Sequence, residues 1–392
     1  MRTGFRRSVI DLSCSALQAV LPASLQSWGL AVRYEASAIP DDSKALMFAF
    51  GCLCGLMPRA VASRLLTPFL SLAGENVPYL EGPTIMHLFD AIIRKPRALG
   101  IICAIGAVVL GILYMVIVGA PARYLGVNAG ALAIGLSMLA LLDRTAAAGR
   151  RWTDGASVAM AIAMLATALF GSEVDGAARW VNLGGVAIQP SLILVPVMLV
   201  TFSRIRSVLA TVSIITAAVA MALQPDRAMA GMLALCLAVL AVMRPDRHVC
   251  VALANSIASF AATLVRPDTL PAVPYVDQIL YSSFDIHIAA GVAVLGGMAI
   301  ILVPAIVGWS RDADNRAIYC AFGTVWFAAI AAAALGNYPT PIVGYGGSAI
   351  IGYVLSLLAL PKLSGCHAGT AGHARGARDG YSSDAQLFVA LV

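Results

Sequence analysis

Apolar residues in this chain fall into runs separated by short polar breaks, and from Ala98 onward the runs approach the width of a bilayer. A helix needs about 20 mainly apolar residues to cross the hydrocarbon core. Runs near this length occupy 98–119, 127–142, 156–171, 186–203, 207–223, 228–243, 249–266, 287–309, 317–336 and 341–361. Flanking Gly, Ala and Ser complete the shorter ones. The pattern predicts an all-α polytopic membrane protein with about ten transmembrane helices. One further run, 45–57, is ended at once by Pro58 and Arg59. Its length suits an interfacial or buried helix better than a crossing.

The flanks of this block read differently. Residues 1–97 are mixed and basic, with breakers at Pro40, Pro58, Pro78 and Pro83, and read as a cytoplasmic or interfacial extension ahead of a membrane domain over 98–361. Gly, Ala, His and Ser dominate 362–392, the composition of a flexible cytoplasmic tail. The N-terminus lacks the apolar core and small-residue cleavage site of a secretory signal. The dipeptide Pro-Asp recurs at Pro225-Asp226, Pro245-Asp246 and Pro267-Asp268, about one crossing apart. Proline and aspartate suit helix N-termini, so this repeat reads first as punctuation.

Composition agrees with the pattern. Of 392 residues, 60% are hydrophobic and 12% charged, with a mean hydropathy of +0.86. That is too little polar surface to clothe a globule in water, which excludes a soluble enzyme. The net charge of +6 comes without a basic run interleaved with aromatics, so no nucleic acid is implied. Charge placement also sets an orientation. With both termini in the cytoplasm, only Arg123, Arg179, Arg227 and Arg266 of the 26 Lys and Arg fall on the outer side, the bias that positive-inside topology requires. Eight cysteines are scattered without a paired spacing, and neither disulfides nor a zinc site can be read from them. Cys366, His367 and His373 lie in the tail and make no convincing metal clip.

Candidate chemistry gathers on the outer side. The loop after the third run reads GSEVDGAARWVNLGG (171–185), and the fourth run opens VAIQPS. The fifth run leaves through LQPDR (223–227), the eighth is preceded by YSSFDIHIAAG (281–291), and the tenth opens NYPTPIVGYGGSAI (337–350). Polar motifs converging at one membrane surface suggest a site there. Read on their own, Arg179 is a snorkelling interfacial arginine beside Trp180, and Asp285 a cap on the eighth helix.

Together these motifs resemble the SEDS family (shape, elongation, division and sporulation proteins of the RodA/FtsW type). The matching positions are Gly171, Val174, Gly176, Ala177, Arg179 and Trp180; Gln189-Pro190-Ser191; Gln224-Pro225-Asp226; and Tyr345-Gly346-Gly347-Ser348 after Pro339 and Pro341. The likeness covers about 98–361. It implies a multi-pass protein of the bacterial cytoplasmic membrane that serves cell wall synthesis in elongation or division. Its activity would be that of a peptidoglycan glycosyltransferase polymerising lipid II beside a class B penicillin-binding transpeptidase. It implies no certain cofactor and leaves a divalent cation open. Substrate-binding residues would be Arg179, Trp180, Gln189, Ser191, Asp226, Tyr345, Gly346, Gly347 and Ser348. The family's essential aspartate, followed ten residues later by Leu-Gly, matches Asp285 ahead of Leu295-Gly296. Asp277, preceded by Pro274, is the competitor.

Departures from the family pattern bear on catalysis. A glutamate and a lysine usual in the fourth helix are Leu192 and Val195 here, and the loop over 267–286 is short. A catalytically inactive SEDS-like scaffold for a transpeptidase is therefore a rival reading. A flippase for a lipid-linked sugar is a weaker one, because the run interiors carry almost no charge to mark a path. Helix contacts are expected at Gly291, Gly296, Gly297, Gly344, Gly346, Gly347 and Gly352, where small residues allow close approach in lipid.

Overall fold

The computed structural model describes residues 7, 10–11, 13–15, 18, 21, 26–49, 51–52, 95–145, 150–174, 177–266 and 271–362. The predicted tail over 363–392 lies outside the described residues, as does all of 53–94, including the end of the 45–57 run. In the N-terminal part, α1 (Gln26–Ala38) buries Val32 and Ala36 in a small cluster with Ile10, Cys14, Leu21, Ala45 and Ala49. Residues 42–49 and 51–52 are helical, in keeping with the expected short helix there.

Each of the ten apolar runs holds a helix. In order these are α2 (Pro96–Ile117), α3 (Ala122–Thr145), α4 (Arg150–Phe170), α5 (Pro190–Arg204), α6 (Val208–Leu223), α7 (Arg227–Met243), α8 (Arg247–Leu264), α10 (Ile288–Arg311), α11 (Arg316–Leu335) and α12 (Gly347–Ser356), the last continued by a 3-10 turn, Leu357–Ala359. Two features were not foreseen. A short helix, α9 (Ile279–Ile286), precedes α10, and strands β1 (Ser172–Val174), β2 (Ala177–Leu183) and β3 (Val186–Ile188) follow α4.

The helices are not equal. Among the described residues α2, α3, α4, α10 and α11 are long and apolar enough to cross a membrane, whereas α5, α6, α7 and the Gly347–Ala359 stretch are shorter. The molecule is a helical, polytopic membrane protein. The number ten, however, counts its helix-bearing apolar runs rather than complete crossings. The fourth run illustrates why. Its first residues, Val186–Ile188, pair as a strand, and the helix starts only at Pro190, whose missing N–H costs nothing at that position. Fifteen residues then rise about 22 Å, less than the hydrocarbon thickness. The tenth run likewise spends Pro341 to Gly346 in turns before α12 begins.

These two short helices pack at the centre. α5 lies against α4, α7, α11 and α12, and α12 also packs on α3. Pro196 inside α5 donates no N–H to the Leu192 carbonyl one turn earlier. Gly352 of α12 sits on that carbonyl so closely that a Cβ there would lie 2.2 Å from the Leu192 oxygen. Lipid offers helices no hydrophobic drive to associate, so such backbone approach supplies the packing. Around it, Tyr353 meets Trp326 and Phe322 edge-on or tilted, and its hydroxyl donates to the Ile301 carbonyl at 3.1 Å. A second cluster ties Ile279 to Tyr114, Met115, Val294 and Val343, anchoring the start of α9 to α2 and α10. On α2, Ile102, Ile105, Val109, Leu113 and Val116 are exposed at helical spacing, the stripe that faces lipid.

Candidate functional site

The first wall of the site is the hairpin after α4. β1, β2 and β3 pair antiparallel in sequence order, with Leu183 opposite Val186 across Gly184 and Gly185. Both glycines have positive φ, the requirement of a two-residue type I′ turn. The Gly-Gly pair was the available signal for this hairpin. The hairpin delivers Arg179, which is buried, and Trp180, which is half-buried. Arg179 is held by carbonyls of the loop after α6: Nε donates to Gln224 O at 3.3 Å and Nη2 to Pro225 O. A guanidinium fixed by backbone oxygens cannot wander as a snorkelling side chain does.

The two glutamine-proline motifs meet in one buried network. Asp226 caps α7 by accepting from Met229 N–H at 3.2 Å. Its other oxygen accepts from Ser191 Oγ at 3.0 Å and from Gln189 Nε2 at 3.1 Å. Gln189 N–H in turn donates to Ser348 Oγ at 2.9 Å, joining the start of α5 to the start of α12. Asp226 is thus fully engaged in locking helix ends together.

Opposite this wall, the segment before α9 crosses the turns before α12. Thr340 N–H donates to Val276 O at 2.9 Å, Tyr345 N–H to Tyr275 O at 2.7 Å, and Asp277 and Pro339 form an isolated antiparallel bridge. Tyr275 and Gln278 on either side of Asp277 adopt left-handed backbone, as does the β-branched Ile342. Such residues are held only by surroundings that over-determine them, and they cluster at functional sites. Asn128 of α3 supplies part of that hold. Fully buried, it donates from Nδ2 to Gly344 O at 2.9 Å and accepts from Gly346 N–H at 3.1 Å, clamping the turn from both sides. Tyr124 of α3 stacks on Tyr345 with centroids 3.9 Å apart and meets Tyr275 edge-on.

Between the walls lies a cavity of about 420 Å³, within the range of small-molecule sites. Arg179, Trp180 and Gln189 line one side, and Asp277, Thr340 and Tyr345 another. Leu192 on the first turn of α5, and Gly347, Ser348 and Ala349 on the first turn of α12, complete it. Helix N-termini favour negative charge, so two of them and Arg179 make the cavity receptive to an anion. Among its described lining residues Asp277 is the single carboxylate. Asp277 Oδ2 accepts from Val273 N–H at 2.9 Å, but Oδ1 is buried without a partner, as is Thr340 Oγ1. Burial pushes the Asp277 carboxyl above the usual carboxylate range, opposed only by the Val273 N–H.

The structure therefore sorts the sequence candidates. Arg179, Trp180, Gln189, Tyr345, Gly346, Gly347 and Ser348 line the cavity. Ser191 and Asp226 do not; they lie behind Gln189 in the network. Asp285 is exposed on α9 and off the cavity wall, whereas the competing Asp277 is on it. Nor does Asp285 cap the helix that follows, because the N-cap of α10 is His287, whose Nδ1 accepts from Ala289 N–H at 3.0 Å. The reason is the unforeseen α9, which consumes the residues between Gln278 and His287 in a helix of its own. Sequence reasoning passed over Asn128, Tyr124, Tyr275 and Thr340. Asn128 carried a usable signal, an amide within an otherwise apolar run. Among the described residues no three His, Cys, Asp or Glu side chains gather to hold a metal, and one carboxylate with one hydroxyl does not form a divalent-cation cage.

No protein-family model matches the chain, and no curated protein matches it. Solved structures do. The chain is similar to RodA. The crystal structure of the Thermus thermophilus rod shape determining protein RodA is 21% identical, over 66% of this chain and 93% of that one, with a TM-score of 0.47. A mutant of the same protein gives 20% identity, 66% and 94% coverage and a TM-score of 0.48. A structure concerned with polymerization and crosslinking by a peptidoglycan synthase complex gives 20%, 65%, 94% and 0.44.

Proposed function

We propose that this is a SEDS-like protein of cell wall synthesis in the bacterial cytoplasmic membrane, a peptidoglycan glycosyltransferase that polymerises lipid II beside a class B penicillin-binding transpeptidase. The observation that carries the reading is the cavity itself. Three of the four motifs, represented by Arg179-Trp180, Gln189 and Tyr345 to Ser348, line it, and the segment before α9 adds Asp277 with one carboxylate oxygen unpartnered inside it.

In this reading an acceptor sugar hydroxyl attacks the anomeric carbon of a lipid-linked donor. The bond from that carbon to the phosphate oxygen breaks, and the diphosphate leaves with the electron pair. Asp277 takes the hydroxyl proton as general base, a role helped by a carboxyl pushed toward working pH by burial. Arg179 and the first turns of α5 and α12 stabilise the charge growing on the departing diphosphate. Gln189 and Ser348 position the wall rather than react, since they bond to each other. No step is assigned to a metal.

A second reading, a scaffold without polymerase activity, is favoured by one observation. Leu192 presents an apolar side chain to the cavity where the SEDS pattern has a glutamate, and Val195 is fully buried where it has a lysine. Lipid II polymerisation by purified protein with its transpeptidase separates the two. Wild type should form glycan, Asp277→Asn should lose at least about 100-fold, in the range typical of a missing general base, and Asp285→Asn should stay within about 3-fold of wild type. No glycan from wild type, with the partner bound, would favour the scaffold.

A further inference from the structure

Beyond the cavity, the same end of the bundle carries two arginines that its walls do not use. Arg227 opens α7 and Arg266 follows α8. Arg227 Nη2 donates to the Arg266 carbonyl at 3.1 Å, and Arg266 Nη1 donates to the Leu223 carbonyl at the end of α6 at 3.3 Å. Two like charges are thereby brought to one junction of three helix ends, and neither forms an ion pair with an acidic side chain among the described residues. Arg227 Nε is buried with no partner, and the other N–H groups of both forks have no described acceptor. Like charges held together with no acidic partner among the described residues are a cost that an anion would offset. The positions are also those that positive-inside topology normally keeps free of arginine.

What flanks the pair identifies the anion. Leu223, Leu264 and Val265, on the ends of α6 and α8, are exposed beside it, Val265 at 86% of its surface. A fork of donors at the membrane boundary with bare apolar side chains below it fits an anion that carries its own hydrocarbon. We infer that Arg227 and Arg266 form a binding site for the headgroup phosphate of an anionic phospholipid, with its acyl chains lying along Leu223, Leu264 and Val265. The guanidinium geometry matches phosphate oxygens, and basic pockets between membrane helices bind lipid headgroups in this way. The site adjoins the cavity, since Arg227 N–H and Arg179 Nη2 both reach the Pro225 carbonyl. A lipid held there would stiffen the loop that holds Arg179. The inference stands independently of the polymerase reading.

Lipid retention tests it. Full-length protein in detergent is equilibrated with phosphatidylglycerol or with phosphatidylcholine, and bound lipid is counted by native mass spectrometry. Wild type should retain one phosphatidylglycerol more than Arg227→Gln/Arg266→Gln, and phosphatidylcholine should show no such difference. Arg266 is exposed and terminal, so Arg266→Gln alone, which keeps the fold, should weaken retention at least 5-fold. Equal retention by wild type and both variants would overturn the site. So would inorganic phosphate displacing the lipid at millimolar concentration, since the site would then recognise the phosphate alone.

Discussion

At the scale of single residues, the site depends on two side chains with opposite characters. Asp277 is electrically uncomfortable: buried, half-bonded and raised in pKa. Its folded-state pKa lies above the unfolded value, so the folded protein holds its proton more tightly and loses stability as pH rises through that window. Asp277→Asn should therefore melt at or above the wild-type temperature at pH 7.5, and the difference should shrink toward pH 4. If polymerisation is assayed, the rate should climb with pH along a limb above the ordinary carboxylate range. Asn128 has the opposite character, with both ends of its amide satisfied by the 344–346 turn. Removing it leaves the buried Gly344 carbonyl without a partner, at about 1–3 kcal/mol, and frees the half-buried Gly346 N–H as well. Asn128→Ala should lower the detergent melting temperature and loosen Tyr345, whereas Gln224→Ala, which loses one 3.3 Å bond to Met164 O, should cost less.

At the scale of elements, the glycines rank themselves by what a methyl group would meet. At Gly352 it would strike the Leu192 carbonyl oxygen at 2.2 Å, and backbone cannot step aside. At Gly347 it would come within 2.9 Å of the Ala131 Cβ, and at Gly296 it would touch the Leu110 side chain at an ordinary 3.5 Å. Folded yield and melting should thus fall most for Gly352→Ala, clearly for Gly347→Leu, and hardly at all for Gly296→Ala. The sequence named all three as contact glycines, because small residues in a span signal close packing without saying which face is turned inward. Helix existence was legible for the same reason that facing was not. Runs of apolar residues reveal hydrophobic length, whereas strand Val186–Ile188 depends on pairing with β2 across the Gly184-Gly185 turn and helix α9 on docking against α10, neither of which hydrophobic length registers. Candidate residues on helix starts were found from motifs. The sequence put Asp285 ahead of Asp277 as the family aspartate by its spacing to Leu295-Gly296, whereas the cavity wall carries Asp277, because spacing counted along the chain cannot see that Asp285 falls within a helix of its own.

At the scale of the whole molecule, charge divides the two ends of the bundle. At one end Arg97 and Lys362 both pair with Asp143, and Arg206 pairs with Asp246. At the other, the arginines turn to carbonyls, to the Tyr124 ring, or to the proposed lipid. The orientation that places the cavity outside predicts a labelling pattern in a cysteine-free background. A membrane-impermeant maleimide should modify Ser282→Cys in intact cells and Ala313→Cys only after lysis. Both residues are exposed, Ser282 on α9 before the start of α10 and Ala313 just past its end. The reverse pattern would turn the molecule over and move the cavity to the cytoplasm.

The hairpin that carries Arg179 has an optical consequence. The chain holds five tryptophans, and Trp180 is the one among them that lines the cavity, while Trp326 is sealed in the core. An indole at a half-dry boundary emits at a wavelength set by the water around it. Whatever fills the cavity, sugar, diphosphate or inhibitor, should shift the emission of a Trp28→Phe/Trp152→Phe/Trp309→Phe protein toward the blue, against a constant background from Trp326. The molecule thus contains its own occupancy gauge, readable by titration before any substrate has been turned over.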